Sequence, residues 1–226
     1  MDDEINYLLN ETNQYFDTKI EKSDILSSWK GLRPLIKNVQ NNATSNIVRE
    51  HHIYQSKSNL ITIAGGKWTT YRKMAEDVLN YVVEHKMLTF KKRCETKSYK
   101  VVGSKNIMNK ITDEVSSQTF MMMVGLYGDK TFELLKIAKE EDGYEKINKN
   151  FLYIKAQIIY AVRNEYVQKP LDFMCRRIPL LLLNKKEALS SLIYVTSILA
   201  TLFDWDEKKY IEELNSARDC IEQKRF

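Results

Sequence analysis

Residues 60–76 read LITIAGGKWTTYRKMAE, and this stretch decides the local fold of the first third of the chain. Its first five residues are apolar and β-branched, which is typical of a buried strand. Gly65 and Gly66 follow, where small residues let the backbone turn sharply and let another molecule approach closely. A helix is predicted next, with Thr69 or Thr70 as its N-terminal cap.

The helix predicted after this turn is amphipathic, and its two faces differ clearly in composition. The apolar face consists of Tyr71, Met74, Ala75, Val78, Leu79, Val82 and Val83. The polar face consists of Arg72, Lys73, Glu76, Asp77 and Glu84. This spacing predicts an amphipathic helix.

A strand, two glycines and a helix N-terminus together make an electropositive turn. Unpaired backbone N–H groups and the helix dipole favour negative charge there, and Lys67 adds a full positive charge. Such a turn suits a phosphate, a carboxylate or the electron-rich edge of a reduced flavin. The alternative is an ordinary strand–helix turn with an exposed lysine.

An arginine with a clear chemical use precedes this region. Residues Ile25–Leu32, including Trp29, are predicted to form a strand. Pro34 cannot donate to a strand ladder, which places Arg33 at the end of the strand or at a bulge. A guanidinium group presents a planar fork of donors, so Arg33 is a candidate anion ligand, with a surface salt bridge as the alternative.

A second candidate strand, Ile47–Tyr54, carries Arg49 and His51 two residues apart. Residues at that spacing share one face of a strand. A guanidinium and an imidazole on one face suit the binding of a phosphate and the transfer of a proton. A turn at Lys57–Asn59 is expected to lead back into the strand that starts at Leu60.

The string ITIAGGKWTTYRKMAED resembles the flavin-contacting turn of the FAD-dependent glycerol-3-phosphate dehydrogenases, most closely the mitochondrial ones. Four more segments match that family in the same order along the chain. They are SWKGLRPLI, VREHHI, LYGDKTFELLKIA and CRRIPLLLLN. The resemblance spans almost the whole chain and is most specific in its first third.

The resemblance implies a role for each residue of this region. The cofactor-binding residues would be Gly65, Gly66, Lys67, Trp68, Thr69 and Thr70, which run along the isoalloxazine edge. Arg33 and Arg49 would bind the substrate, with Arg49 on its phosphate. Lys67 would be a catalytic residue. The segment Arg49-Glu50-His51 matches the Arg-x-His pattern of the family, and we assign His51 as the second catalytic residue, a proton carrier, from its place on the same strand face as Arg49. Arg33, Arg49 and Lys67 are expected to converge on one site.

The reaction implied by the resemblance is the oxidation of sn-glycerol 3-phosphate to dihydroxyacetone phosphate. FAD would accept the hydride and a quinone would accept the electrons. The enzyme would be mitochondrial and would contact the inner membrane peripherally. The sequence leaves the oligomeric state open, with a homo-oligomer as one alternative. Two alternatives remain: a helical docking or structural module without activity, and an oxidase that uses oxygen.

The expected fold is α+β, with a remnant of a FAD- and substrate-binding domain at 1–90, a linker at 91–110 and an all-α domain at 111–226. No G-x-G-x-x-G fingerprint follows any predicted strand. The chain is therefore expected to be the C-terminal portion of a longer enzyme. The missing N-terminal segment would bind the ADP part of FAD, and this chain alone would be inactive.

Composition disfavours several other classes of protein. The net charge of +5 is spread along the chain, which argues against nucleic-acid binding. Cys94, Cys175 and Cys220 lack the spacing of metal ligands, so no metal is expected. No targeting segment is visible, and the charge-free run Ala188–Phe203 is shorter than the roughly 20 residues of a membrane span.

Apolar periodicity predicts helices at both ends of the chain. The predicted helices are Asp3–Lys19, Asp113–Met123, a helix capped by Asp129 and running to Glu140, Asn148–Gln168, Lys185–Phe203 and Asp206–Glu222.

Overall fold

The computed structural model describes residues 2–31, 51–89, 92–105, 107 and 113–223 of the 226. The chain divides into two compact units. The helical unit comprises Met1–Lys30 and Val102–Phe226, and the hairpin unit comprises Gly31–Val101. The boundaries of these units differ from those of the predicted domains, 1–90 and 111–226. The division into those two domains stays a prediction.

Helices and one small antiparallel sheet make up the described residues, so the predicted α+β class is confirmed. In chain order the elements are α1 (Asp2–Thr12), β1 (His51–Gln55), β2 (Ile61–Gly65), α2 (Tyr71–Glu84), α3 (Ser117–Tyr127), α4 (Thr131–Glu140), α5 (Lys155–Asn164), α6 (Leu180–Leu183), α7 (Lys185–Phe203) and α8 (Glu207–Glu222). A π-helical segment, Asp172–Arg177, precedes α6.

The hairpin unit is built on the pairing of β1 with β2. His51 lies opposite Gly65, and Ile53 lies opposite Ile63. The predicted turn closes through a hydrogen bond from Ser56 N to Leu60 O at 2.9 Å, with Asn59 in the left-handed region at φ 63°. Both predicted strands therefore exist here, although residues 47–50 of the first lie outside the described part of the chain.

The helix α2 begins and ends close to its predicted limits, but its predicted apolar face is only partly covered. Met74, Val78 and Val82 are half-buried, whereas Tyr71 and Leu79 are each 57% exposed. None of the described residues of the hairpin unit is buried. A two-stranded hairpin is too small to cover a helix on more than one side.

The strand predicted at Ile25–Leu32 was wrong for residues 25–31, which form no strand. The backbone there bonds to helices instead. Lys185 N donates to Leu26 O at 3.2 Å, and the Ser27 hydroxyl donates to Leu181 O at 2.9 Å. Local β-propensity was outweighed by these tertiary bonds.

The first helix is shorter than the predicted Asp3–Lys19, because α1 ends at Thr12. The cause is Asn13, whose side chain holds the backbone of Ile20 at both groups. Ile20 N donates to Asn13 Oδ1 at 2.8 Å, and Asn13 Nδ2 donates to Ile20 O at 2.9 Å. An amide that bonds to the backbone in this way competes with helix continuation.

The helical unit buries two neighbouring apolar clusters. One lies among α3, α4 and α5 and is centred on Met123, Leu134 and Tyr160. The other lies among the later helices and the π-helical segment, around residues such as Phe173 and Leu192. These clusters supply the hydrophobic stabilisation of the unit.

Two helix boundaries differ from the prediction for reasons of capping. The helix α3 begins four residues later than predicted, because the Ser116 side chain accepts a hydrogen bond from Thr119 N. Asp129 caps no helix: it lies in the 3₁₀ turn before α4, and its carboxylate accepts a hydrogen bond from Lys105 N at 3.2 Å.

The predicted long helix Asn148–Gln168 is much shorter in the structure, where α5 spans Lys155–Asn164. The Asn148 side chain donates to the Glu187 and Ser191 side chains at the start of α7, both at 2.9 Å. This tertiary contact holds the residues between Asn148 and the start of α5 in a loop. At the other end, Tyr166 adopts a left-handed φ of 58°.

The predictions for α7 and α8 are confirmed to within one residue. Asn184 caps α7 by accepting from Glu187 N, and Asp206 caps α8 by accepting from Lys209 N. The helix α7 is 19 residues long, and by length and composition it is apolar enough to cross a membrane. The core helix of a soluble protein passes the same test, and α7 buries one face in the helical unit.

Arg176 and Arg177, adjacent in the chain, make separate contacts. Arg176 pairs with Asp172 one turn earlier at 3.2 Å. Arg177 donates from Nε and a terminal nitrogen to Glu165 O, at 3.0 and 2.5 Å, which caps the end of α5. Both arginines therefore serve the fold of the helical unit.

Candidate functional site

The turn between β2 and α2 has the backbone geometry that only glycine adopts freely. Gly65 has φ 79° and Gly66 has φ 76°. Two consecutive left-handed residues reverse the chain at the end of the strand, where an L side chain would be strained. The glycine pair therefore leaves a backbone surface without side chains directly before the helix.

Gly66 is also fixed by close packing. A Cβ built on Gly66 would lie 2.6 Å from Met74 Sδ and 3.3 Å from His51 Cβ. The turn is thus held between β1 on one side and the second turn of α2 on the other.

Lys67 follows the glycines in extended conformation and is exposed. Thr70 closes the turn around it: Thr70 Oγ1 donates to Lys67 O at 2.9 Å, and Lys67 N donates to Thr70 Oγ1 at 3.3 Å. Thr70 occupies the N-cap position of α2, as predicted, but its side chain accepts no hydrogen bond from the helix itself. The lysine ammonium and the helix N-terminus together give this turn positive potential.

Aromatic surface lies beside the turn. Trp68 is 86% exposed, and its ring stacks on Tyr71 with centroids 5.6 Å apart. Thr69, between them in the chain, is exposed as well. An exposed indole at a positively charged turn offers a flat apolar face to a planar ligand.

His51 points towards α2, where it meets a carboxylate. Its Nε2 lies 3.1 Å from Asp77 Oδ2, and Lys73 Nζ lies 2.6 Å from Asp77 Oδ1. The hydrogen bond from Lys73, followed by its charge and the His51 ring, lowers the pKa of the Asp77 carboxyl below its ordinary value. His52 points to the opposite face of β1 and is exposed, as its place in the strand predicts.

A second ionic contact lies on the neighbouring face of α2. Arg72 donates to Glu76 at 2.9 Å and to the Thr96 hydroxyl at 3.1 Å. The Cys94 thiol lies 3.0 Å from the same hydroxyl, and this hydrogen bond lowers the thiol pKa. These contacts hold the segment after α2 against the helix.

The structure brings some of the predicted site residues together, and others lie outside the residues that it describes. His51 and Gly66 are close neighbours, and Lys67 and Thr70 share hydrogen bonds. Arg33 and Arg49 lie outside the described residues, so their convergence with Lys67 stays a prediction.

Asp77 is the residue that the sequence reasoning missed, because it was placed on the solvent face of α2. One signal was available in the sequence: Asp77 lies four residues after Lys73, which predicts a helical ion pair. The pairing of His51 with Gly65, close to the start of the same helix, comes from the structure.

The residues of this turn fit a planar, anionic group. No cluster of three or more His, Cys, Asp or Glu suited to a metal occurs in the described part of the chain. The glycine pair exposes bare backbone, Lys67 supplies a cation and Trp68 an apolar ring face. This set matches the chemistry of a flavin edge, to which glycines allow close approach.

Comparison with known proteins finds relatives that align with almost the whole chain. A family model described as the C-terminal domain of alpha-glycerophosphate oxidase matches residues 94–210. The mitochondrial glycerol-3-phosphate dehydrogenase of Bos taurus is 34% identical over 97% of this chain and 32% of its own length. The mitochondrial glycerol-3-phosphate dehydrogenase SDP6 of Arabidopsis thaliana is 28% identical over 98% of this chain and 38% of its own.

A solved structure shows the same similarity in three dimensions. The X-ray structure of the glycerol-3-phosphate dehydrogenase from Bacillus halodurans, complexed with FAD, aligns with a TM-score of 0.73 at 27% identity. The alignment covers 97% of this chain and 44% of that one. The chain thus spans between 32% and 38% of the two relatives named above.

Proposed function

Since the chain belongs to the family of the C-terminal domain of alpha-glycerophosphate oxidase, we propose that it forms part of a FAD-dependent glycerol-3-phosphate dehydrogenase. The complete enzyme would oxidise sn-glycerol 3-phosphate to dihydroxyacetone phosphate. We assign this activity to the complete enzyme rather than to these 226 residues alone.

One observation carries the proposal: the left-handed pair Gly65 and Gly66 leads directly into the exposed Lys67 at the start of α2. The bare backbone allows a flat ring to approach. Lys67 and the helix N-terminus supply positive potential where negative charge accumulates during the reaction. An ordinary strand–helix turn has no need of two consecutive left-handed residues beside an exposed cation.

FAD, when bound, supplies the hydride acceptor, and the residues of this chain bind, orient and deprotonate. We assign Gly65, Gly66, Trp68, Thr69 and Thr70 to the flavin edge, with Lys67 beside both the flavin and the substrate. These assignments follow the family resemblance together with the exposure of the turn.

The substrate phosphate requires its own cations. We assign Arg49 to the phosphate and Arg33 to the border of the substrate pocket, because a guanidinium binds a dianionic phosphate through paired hydrogen bonds. His51, two residues after Arg49, would accept the proton of the substrate hydroxyl.

The incomplete burial of helix α2 favours the proposal that this turn belongs to a larger enzyme. Tyr71 and Leu79 each leave 57% of their surface exposed on α2. We propose that another part of the complete enzyme packs on this helix, since exposed apolar side chains along one helix face indicate a surface that a partner covers.

We further propose a quinone as the electron acceptor and a mitochondrial, membrane-associated enzyme. The relatives named above are mitochondrial dehydrogenases, which favours an acceptor other than oxygen. Arg93, Lys97 and Lys100 are exposed beside Tyr99 and suit a peripheral contact with anionic lipid. The family model is described as a domain of an oxidase, so oxygen is the competing electron acceptor.

The test is a single-turnover reaction of the complete, FAD-loaded enzyme without oxygen. Glycerol 3-phosphate should bleach the flavin absorbance and yield dihydroxyacetone phosphate, whereas glycerol, which lacks the phosphate, should not. Adding a soluble quinone should then restore the oxidised spectrum faster than adding oxygen. An enzyme whose flavin is not reduced by glycerol 3-phosphate contradicts the proposed function.

A further inference from the structure

We propose that Asp77 is a positioning residue that fixes the His51 imidazole with its proton on Nε2 and leaves Nδ1 to take the substrate proton. This inference rests on the proposed function and extends it to a residue of α2 to which the family resemblance gave no role. It concerns how the proton carrier is oriented, not which substrate is bound.

The geometry of the pair comes from two elements. Strand pairing sets His51 opposite Gly65, at the start of the glycine turn. His51 Nε2 and Asp77 Oδ2 are 3.1 Å apart, and their side chains are only 21% and 26% exposed. The ring therefore lies against the side of α2, and a Cβ built on Gly66 in the glycine turn would lie 3.3 Å from His51 Cβ.

Asp77 is itself held in place, at the other carboxylate oxygen. Lys73 Nζ lies 2.6 Å from Oδ1, one helical turn earlier on α2. Both oxygens are thus engaged by different partners. The Lys73 ammonium also favours the ionised carboxylate, which can only accept hydrogen bonds.

An acceptor-only partner decides the tautomer of the ring. A neutral imidazole carries one proton, and a carboxylate facing Nε2 places that proton on Nε2. Nδ1 is then the nitrogen with a free electron pair. Within the described part of the chain, no hydrogen bond reaches His51 Nδ1.

In the complete enzyme the C2–H bond of glycerol 3-phosphate would break, and its hydrogen would leave with the electron pair as hydride, for which bound FAD would supply the acceptor. The proton of the C2 hydroxyl moves to His51 Nδ1, and the C2–O bond becomes the carbonyl of the ketone. His51 becomes a cation, which the Asp77 carboxylate stabilises, as a carboxylate does for an imidazole in hydrolase triads.

The first test observes the ring directly in the 226-residue chain, labelled with ¹⁵N-histidine. NMR at a pH where the ring is neutral should show the Nε2–H tautomer for His51, whose signals are assigned by their loss in His51→Gln. In Asp77→Asn the amide can donate to Nε2, so the Nδ1–H tautomer should gain population. Asp77→Glu should keep the Nε2–H tautomer.

The matched control is Glu76→Gln, which removes the same charge from the neighbouring residue of α2. Glu76 contacts Arg72 at 2.9 Å, and its substitution should leave the His51 tautomer unchanged. An Nδ1–H tautomer in the wild-type chain would overturn the proposal. An unchanged tautomer in Asp77→Asn would overturn it as well.

The second test uses the complete enzyme. Asp77→Asn should lower kcat by about 10²-fold, the usual size of a general-base contribution, while KM for glycerol 3-phosphate changes little. Asp77→Glu should recover part of kcat, and Glu76→Gln should match the wild type. Equal effects of Asp77→Asn and Glu76→Gln would overturn the inference and leave the proposed function intact. A wild-type enzyme inactive on glycerol 3-phosphate would instead refute the proposed function.

Discussion

Gly66 lies so close to Met74 that a Cβ added at Gly66 would come within 2.6 Å of the methionine sulfur. The same glycine has a left-handed φ of 76°. Two separate costs therefore oppose a side chain here: a steric one, which the flexible methionine can relieve, and a backbone one, which it cannot.

Gly66→Ala should lower the free energy of unfolding by about 1–2 kcal/mol, the cost of a left-handed L-residue. Adding Met74→Ala should remove the steric part and leave the backbone part. Chemical denaturation of the wild type, Gly66→Ala and the double variant measures these costs. Met74→Ala alone is the control. A double variant as stable as Met74→Ala alone would show that the backbone conformation carries no cost.

Substituting alanine for two glycines of the helical unit should change stability in opposite directions. Gly125 is exposed in α3, and a Cβ added there would meet no atom within 4 Å, so Gly125→Ala should stabilise the chain by about 1 kcal/mol through helix propensity. Gly128 has φ 56°, and a Cβ added there would overlap the carbonyl oxygen of Gly103. Gly128→Ala should therefore destabilise strongly. Thermal unfolding of both variants gives the comparison, and a shift in the same direction would contradict it.

Glu165 should make the stability of the helical unit fall as pH rises. Burial raises the pKa of its carboxyl, an effect that the Arg177 charge offsets only in part, and Oε2 has no hydrogen-bond partner among the described residues. A carboxyl whose pKa is higher in the folded state contributes most below its unfolded value of 4.5. That contribution is lost as pH rises through the folded value.

Glu165→Gln should consequently stabilise the chain more at about pH 8 than at about pH 4, measured by urea denaturation at each pH. Glu140→Gln, at an exposed position in α4, is the control and should change stability alike at both. An effect of Glu165→Gln that is the same at both pH values would mean that the carboxyl titrates normally in the folded chain.

Arg49→Ala should raise KM for glycerol 3-phosphate in the complete enzyme by about 10²-fold or more, because a charged hydrogen-bond partner of the phosphate is lost. FAD absorbance should change little. Arg93→Ala, on the exposed segment after α2, is the matched control. An unchanged KM in Arg49→Ala would remove this arginine from the phosphate site.

Local chemistry explains which parts of the fold the sequence predicted. The strand, glycine turn and helix around Lys67 follow one another without a break, so β-branching, left-handed glycines and helical periodicity were enough. Side-chain caps likewise set the starts of α7 and α8 at Asn184 and Asp206. In each case the deciding atoms lie within a few residues of one another.

Long-range bonds explain the parts that were not predicted. Leu26 bonds to Lys185 and Asn148 bonds to Glu187, and both contacts replaced the regular element that local propensity favoured. The role proposed for Asp77 depends on a partner in β1, 26 residues earlier in the chain, so periodicity alone assigned it to solvent. Such contacts are set by tertiary packing, which no local window contains.

The most direct measurement of the central claim is the rate of flavin bleaching by glycerol 3-phosphate in the complete enzyme carrying Lys67→Met, mixed without oxygen. Losing the cation at the glycine turn should slow bleaching by about 10²-fold or more, because electrostatic stabilisation of the developing charge is lost. Lys57→Met, in the exposed hairpin turn, should bleach at the wild-type rate. Equal rates in Lys67→Met and the wild type would contradict the assignment of this turn to the flavin.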